Sequence, residues 1–426
     1  MLFLPEVKLR SWARILGLIV FALAVACFTA ETASLFLYRA VHGEPFSREA
    51  LVRRVAERQA ESENDPNRPG APRFVLHPYA GFVNNRYNEE INGHGYFGPD
   101  PITTRDPSRL NIVFTGGSVT RYLYSLSVDR FLEVLSRDPR YAGKTIVPVN
   151  LSMRGYKQPQ QLLTLQEKIA LGAQYDIVIN LDGFNEVVLP YTESFPQGIS
   201  FHYPRGWGYF ADAQFRVEKR RILKQMRELR AVMDWSNGTV LRSPWRYSVT
   251  ALFVWDLLDR YFQRRMYTLQ RVLERPLKEK DGRPAQEVAG PYGGYDREEV
   301  LEQSMQLWAE SSLQMAKLCA ANGIRYYHFL QPNLYLEDAK HAYTPEEVAL
   351  FQSDHNGTVA EAVARSYPVL RQVGEKLERL GVSFTDLTMI FAERTEHVFY
   401  DDCCHFTLDG NDLIAEAIAR RILRDD

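Results

Sequence analysis

Leu110–Thr120 reads LNIVFTGGSVT. Leu110 to Thr115 form a short, mostly apolar run that ends on Gly116, Gly117 and Ser118. Such a run, bounded by glycines, predicts a buried strand that breaks into a sharp turn. Glycine tolerates backbone conformations closed to other residues, so the pair frees the turn. Ser118 then stands at the strand's carboxyl end, where a helix cap, a phosphate ligand and a nucleophile are all chemically sensible. The stretch lacks the Gly-Lys-Ser/Thr of a phosphate loop, which removes the nucleotide reading.

Downstream, strands and helices alternate. TIVPVNLS (145–152) and YDIVINLDG (175–183) predict two more strands, and VDRFLEVLSRD (128–138) and QQLLTLQEKIALGA (160–173) predict helices between them. SMQLWAESSLQMAKLCAANG (304–323) is a helix with a glycine stop, and IRYYHFLQP (324–332) a strand ended by Pro332. YPVLRQVGEKLERLG (367–381) and VSFTDL (382–387) repeat the unit, and LDGNDLIAEAIARRIL (408–423) closes with a helix. Alternation of this kind predicts an α/β fold, a parallel sheet with helices on both faces. The rhythm fails between about 190 and 295, where two long helical stretches, 212–235 and 247–274, predict an inserted helical lid. Trp207, Tyr209, Phe210, Trp235 and Trp245 lie in this insertion. They either face a substrate or pack the helices together.

At the other end of the chain, ILGLIVFALAVACFTA (15–30) carries no charge, and SLFLY prolongs its apolar character to Tyr38. Lys8, Arg10 and Arg14 precede it, the pattern of an uncleaved signal anchor. The division expected is therefore a membrane anchor over 1–40, a polar linker with a solvated helix over 41–109, and a catalytic domain over 110–426. That domain would face the periplasmic side of a cytoplasmic membrane. A net charge of −2 over 426 residues argues against a nucleic-acid partner, because phosphate binding needs concentrated Lys and Arg. Four cysteines are too few to staple a chain of this size. Cys403 and Cys404 are adjacent, and neighbouring side chains are expected to diverge, so no metal site is read beside His405.

Ligands of open parallel sheets sit at the carboxyl ends of the strands. The residues that follow the first three predicted strands, Ser118, then Ser152–Met153–Arg154–Gly155, then Asp182–Gly183–Phe184–Asn185–Glu186, therefore converge on one edge with Asp401–Asp402–Cys403–Cys404–His405, which immediately precede the last helix. A serine hydroxyl needs a base to take its proton, and His405 serves if a carboxylate holds its other ring nitrogen. Asp401 and Asp402 compete for that part, and the Asp-x-x-His spacing favours Asp402.

Taken in order, TGGSVT, NLSMRGY, DGFNE and DDCCHFTLDGNDLIAEAI resemble the blocks of the SGNH (GDSL-like) hydrolases. HPYAGF and NGHGYFGPD look like the segment that precedes the first block in membrane-anchored bacterial members. Gly117 departs from the Asp commonest at its position. The resemblance implies a flavodoxin-like parallel sheet with catalytic Ser118, Asp402 and His405. It also implies an oxyanion hole made of the backbone N–H groups of Ser118 and Gly155 and the side-chain amide of Asn185, with no cofactor. It implies a serine esterase working through an acyl-enzyme on a short acyl group of an extracytoplasmic glycan. O-acyl transfer with the same triad and non-hydrolytic glycan binding are the alternatives.

Overall fold

The computed structural model describes residues 6–64, 74–86, 89–207, 217–242, 244–274, 294–351 and 357–425. These form two compact units. One joins the N-terminal helices to Glu218–Arg275, and the other holds the remainder of the chain.

The larger unit is built on five parallel strands: β3 (Arg109–Gly116), β4 (Thr145–Asn150), β5 (Ile177–Asp182), β6 (Arg325–Leu330) and β7 (Ser383–Asp386), in the spatial order β4-β3-β5-β6-β7. The chain steps from β3 outward to β4, then returns past β3 to β5 and continues in that direction. Right-handed crossovers therefore place the Ser118–Ser136 helix on one face of the sheet and the helices Gln160–Ala170, Arg297–Ala321 and Gly357–Arg379 on the other. The last helix, Leu408–Asp425, returns to pack on Ser118–Ser136. The order reverses between β3 and β5, and that is where a doubly wound sheet opens its ligand crevice.

Every residue of β5 is buried, as a central strand covered on both faces requires. A second, two-stranded sheet pairs β1 (Phe74–His77) with β2 (Gly81–Asn84) in antiparallel register. The linker and entry segment expected over 41–109, with HPYAGF in it, carried no strand assignment here; four-residue strands are too short for alternation to register. Tyr156 ties this hairpin to the main unit by donating its hydroxyl to the Phe82 carbonyl at 2.6 Å.

The smaller unit contains the helices Glu6–His42, Arg48–Asn64, Val217–Arg242 and Val249–Glu274. Among the described residues, Gly17–His42 is the one helix long and apolar enough to cross a membrane, with a mean hydropathy of 2.0. Its C-terminal end is packed against protein. Tyr38 is buried with Leu51, Val55, Val240, Leu252, Phe253 and Trp255. The side chains of Ser34 and Thr250 lie 3.1 Å apart. Leu51 and Val55 of the helix Arg48–Asn64 are thus covered, where a solvated helix was expected. Asp256 is 1% exposed and sits among Arg54 at 2.7 Å, His42 at 3.0 Å and Arg260 at 3.0 Å. A buried carboxylate persists only when paired in this way. The inserted helices therefore spend part of their apolar surface on the N-terminal helices. Trp235 and Trp245 remain exposed, while Tyr209 and Phe210 lie outside the described residues.

Candidate active site

Gly116 ends β3 at φ +149°, and a Cβ there would lie 2.3 Å from the Leu181 carbonyl oxygen and 2.0 Å from Thr120 Oγ1. Only glycine fits so close to β5. Thr120 then donates to that same carbonyl at 2.6 Å, pinning the first turn of the new helix against β5. Gly117 caps the helix and Ser118 opens it. The backbone N–H of Ser118 thus belongs to the first turn, whose amides have no partner within the helix and whose dipole favours negative charge.

Three of the expected segments meet at Gly117. A Cβ on it would lie 2.3 Å from Asn185 Nδ2 and 3.2 Å from the Tyr156 carbonyl oxygen. Asn185 Nδ2 donates to that carbonyl at 2.8 Å, so one amide hydrogen is held and the other is left for a ligand. The departure from Asp at position 117 has a local reason here: the space belongs to Asn185. Gly183 introduces the short Asn185 helix at φ +123°, and Glu186 accepts from the Gly183 N–H at 2.8 Å and from Gln161 at 2.9 Å. Glu186 is wholly buried near Asp182, and burial first, then that charge, push its carboxyl well above the usual range. Gly155 has φ +78°, and a Cβ there would lie 2.7 Å from Arg205 Cδ; Arg205 is fastened to Glu193 by two hydrogen bonds.

Across from these, His405 Nε2 lies 2.8 Å from Ser118 Oγ, and His405 Nδ1 lies 2.5 Å from Asp401 Oδ2. A carboxylate only accepts, so Nδ1 carries the proton and Nε2 presents its lone pair to the serine. The carboxylate on His405 is therefore Asp401, and the expectation of Asp402 is corrected. The reason is the local winding. Asp401 Oδ1 accepts the backbone N–H groups of Cys403, Cys404 and His405, each at 3.1 Å, which curls the loop into a turn that sets residues 401 and 405 side by side. Asp402 has its carbonyl fixed by the Tyr335 hydroxyl. Burial alone would raise the Asp401 pKa; the His405 hydrogen bond, its charge and the backbone donors outweigh it and hold the carboxylate below its ordinary range.

The same turn overturns the expectation that Cys403 and Cys404 diverge. Their sulfurs are 3.0 Å apart, and Cys404 Sγ is 3.9 Å from His405 Nε2. The Tyr122 ring stands edge-on to His405 at 4.7 Å, and Arg154 donates to the Tyr122 hydroxyl at 2.7 Å. Tyr122, Arg121, Met153 and Arg154 help line a cavity of about 190 Å³. None of these contacts is visible in one-dimensional spacing.

No protein-family model and no curated protein matches the chain. Among solved structures it is similar to a GDSL-like lipase from Bacteroides thetaiotaomicron, with 11% identity over 74% of this chain and 89% of that one, at a TM-score of 0.34. It is similar to a putative acylhydrolase from Bacteroides fragilis, with 12% identity over 76% and 91%, at 0.33. An acetylxylan esterase from Geobacillus stearothermophilus shares 11% identity over 74% and 94%, at 0.34. At those scores the likeness carries no weight of its own. What the structure itself shows is a line of hydrogen bonds from Ser118 Oγ through His405 to Asp401.

Proposed function

We propose that the chain is a serine ester hydrolase that works through an acyl-enzyme. The observation that supports this is the unbroken line of hydrogen bonds from Ser118 Oγ through His405 to Asp401. As Ser118 attacks an acyl carbon, His405 Nε2 takes its proton, and Asp401 stabilises the imidazolium and keeps the ring aligned. The carbonyl oxygen gains negative charge and is met by the N–H groups of Ser118 and Gly155 and the free amide hydrogen of Asn185. His405 returns the proton to the departing alcohol. A water molecule then repeats the sequence and releases the acid.

The substrate in this reading is a short acyl ester on an extracytoplasmic glycan. The SGNH resemblance supplies that substrate class; the cavity of about 190 Å³ beside Tyr122 is lined by none of Ser118, Gly155, Asn185 and His405 and is not its basis. The apolar Gly17–His42 helix supports an anchor in the cytoplasmic membrane, and the basic flank of Lys8, Arg10 and Arg14 before it supports the larger unit lying outside. Labelling with a fluorophosphonate tests the reading. The full chain should take up one equivalent, and Ser118→Ala, still folded by circular dichroism, should take up none and should not turn over p-nitrophenyl acetate. Undiminished turnover by Ser118→Ala would refute the mechanism.

A further inference from the structure

Cys403, Cys404 and His405 place two sulfurs and one imidazole nitrogen within 4.8 Å of one another, beside the nucleophile. We propose that these three side chains form a capture site for a thiophilic divalent cation of the Zn²⁺ class, and that occupation of the site switches off Ser118.

The ligand set suits such an ion. Zinc takes thiolates at about 2.3 Å and imidazole nitrogen at about 2.0 Å in a tetrahedron, so its ligand atoms stand roughly 3.3–3.8 Å apart. In that tetrahedron two sulfurs stand about 3.8 Å apart and a sulfur and a nitrogen about 3.5 Å. On binding, therefore, the sulfurs, now 3.0 Å apart, spread, and Cys404 Sγ and His405 Nε2, now 3.9 Å apart, close, each by less than an ångström. The imidazole is prepared for ligation. Asp401 holds Nδ1–H, which fixes the tautomer with its lone pair on Nε2. A carboxylate behind a ligating histidine is the usual outer shell of a zinc site. The fourth position falls to water or to Ser118 Oγ, 2.8 Å from Nε2. On binding, each thiol gives up its proton to solvent, and the Nε2 lone pair leaves the serine hydroxyl for the metal. The base that activates Ser118 is then gone. Hard cations such as Mg²⁺ and Ca²⁺, which prefer oxygen ligands, have no comparable purchase.

This inference rests on the hydrolase reading for its consequence but not for its site, and two readouts keep them apart. The first is Co²⁺ added to the reduced full chain in detergent, followed by thiolate-to-cobalt charge-transfer absorption. One equivalent should develop the band in the parent protein. The band should be lost in Cys403→Ser and in Cys404→Ser, with Cys404→Ala as the second choice should the buried serine disturb folding. Absence of the band from the parent chain, or its persistence without both cysteines, would overturn the site. The second readout is the effect of Zn²⁺ on fluorophosphonate labelling of Ser118. Zinc should block labelling and a chelator should restore it, while Mg²⁺ has no effect. The zinc concentration for half-inhibition should rise at least tenfold in either cysteine variant. Coordination that leaves labelling intact would overturn the switch. A chain that never labels would defeat the hydrolase reading, while the cobalt band still decides the site.

Discussion

Glu31 accepts the backbone N–H of Val249 at 2.6 Å, and its other oxygen takes the Ser248 hydroxyl. A carboxylate from the N-terminal apolar helix thus caps the first turn of the second inserted helix, where the amides are otherwise orphaned. Residue by residue the two helices then climb together, Ser34 beside Thr250 and His42 beside Asp256. Replacing Glu31 by alanine should cost about 1–2 kcal/mol of local stability, the range for a lost cap. Hydrogen exchange should report it as faster exchange confined to the first turn of Val249–Glu274. Unchanged protection there would show that the cap contributes nothing.

The two neighbouring aspartates should separate cleanly in kinetics. Asp401→Asn keeps the shape but presents the wrong hydrogen-bonding partner to Nδ1, and should lower kcat by about 10³–10⁴. Asp402→Asn should leave turnover nearly intact, because the carboxylate on His405 Nδ1 is that of Asp401. Initial rates on p-nitrophenyl acetate across a substrate series measure both, and equal losses would reinstate Asp402 as a partner in the chemistry.

Asn185→Ala should reduce kcat by about 10²–10³ with KM little altered, the pattern of a donor used in the transition state. Gly117→Ala should imitate it with Asn185 itself unmutated, since the added methyl falls 2.3 Å from Asn185 Nδ2 and must displace it. In each variant Ser118 should still take up fluorophosphonate, only more slowly. A change confined to KM would remove Asn185 from the oxyanion hole.

Lys157 is fully buried with its ammonium group on the Phe201 carbonyl, and burial pulls its pKa from the ordinary 10.5 to about 7. The unfolded chain therefore binds more protons than the folded one between about pH 7 and 10.5, and this residue makes stability rise with pH across that window. Below it, the buried charge costs about 4–5 kcal/mol relative to alkaline conditions. Lys157→Met removes that cost and loses a hydrogen bond worth about 1 kcal/mol. The variant should melt higher than the parent at pH 6, with the difference shrinking or reversing by pH 10. A constant difference in Tm across the range would contradict the buried-charge account.

Much of this was legible one residue at a time. Strand periodicity around LNIVFT, TIVPVNLS and YDIVINLDG fixes a parallel α/β sheet, because covered strands must be apolar throughout and each crossover must be helical. From that alone it follows that Ser118, Gly155, Asn185 and His405 share the carboxyl edge. Helix spacing likewise reveals the inserted pair, and an uncharged run reveals the apolar helix.

What the sequence leaves open is decided by contacts between segments and by turns too short to have a period. Asp401 and Asp402 are chemically identical, and only the winding of the 401–405 turn around Asp401 Oδ1 selects which one meets His405. That same winding brings Cys403 and Cys404 together, against the expectation for neighbours. Gly117 gains its reason only when Asn185 arrives from a strand away. In the exposed-looking helix at Arg48, Leu51 and Val55 are covered only because the chain returns at Val240 and Phe253. Local composition sets which elements form. Long-range packing sets which atoms of those elements stand within reach of Ser118, since hydrogen-bond geometry is satisfied in space and not along the chain.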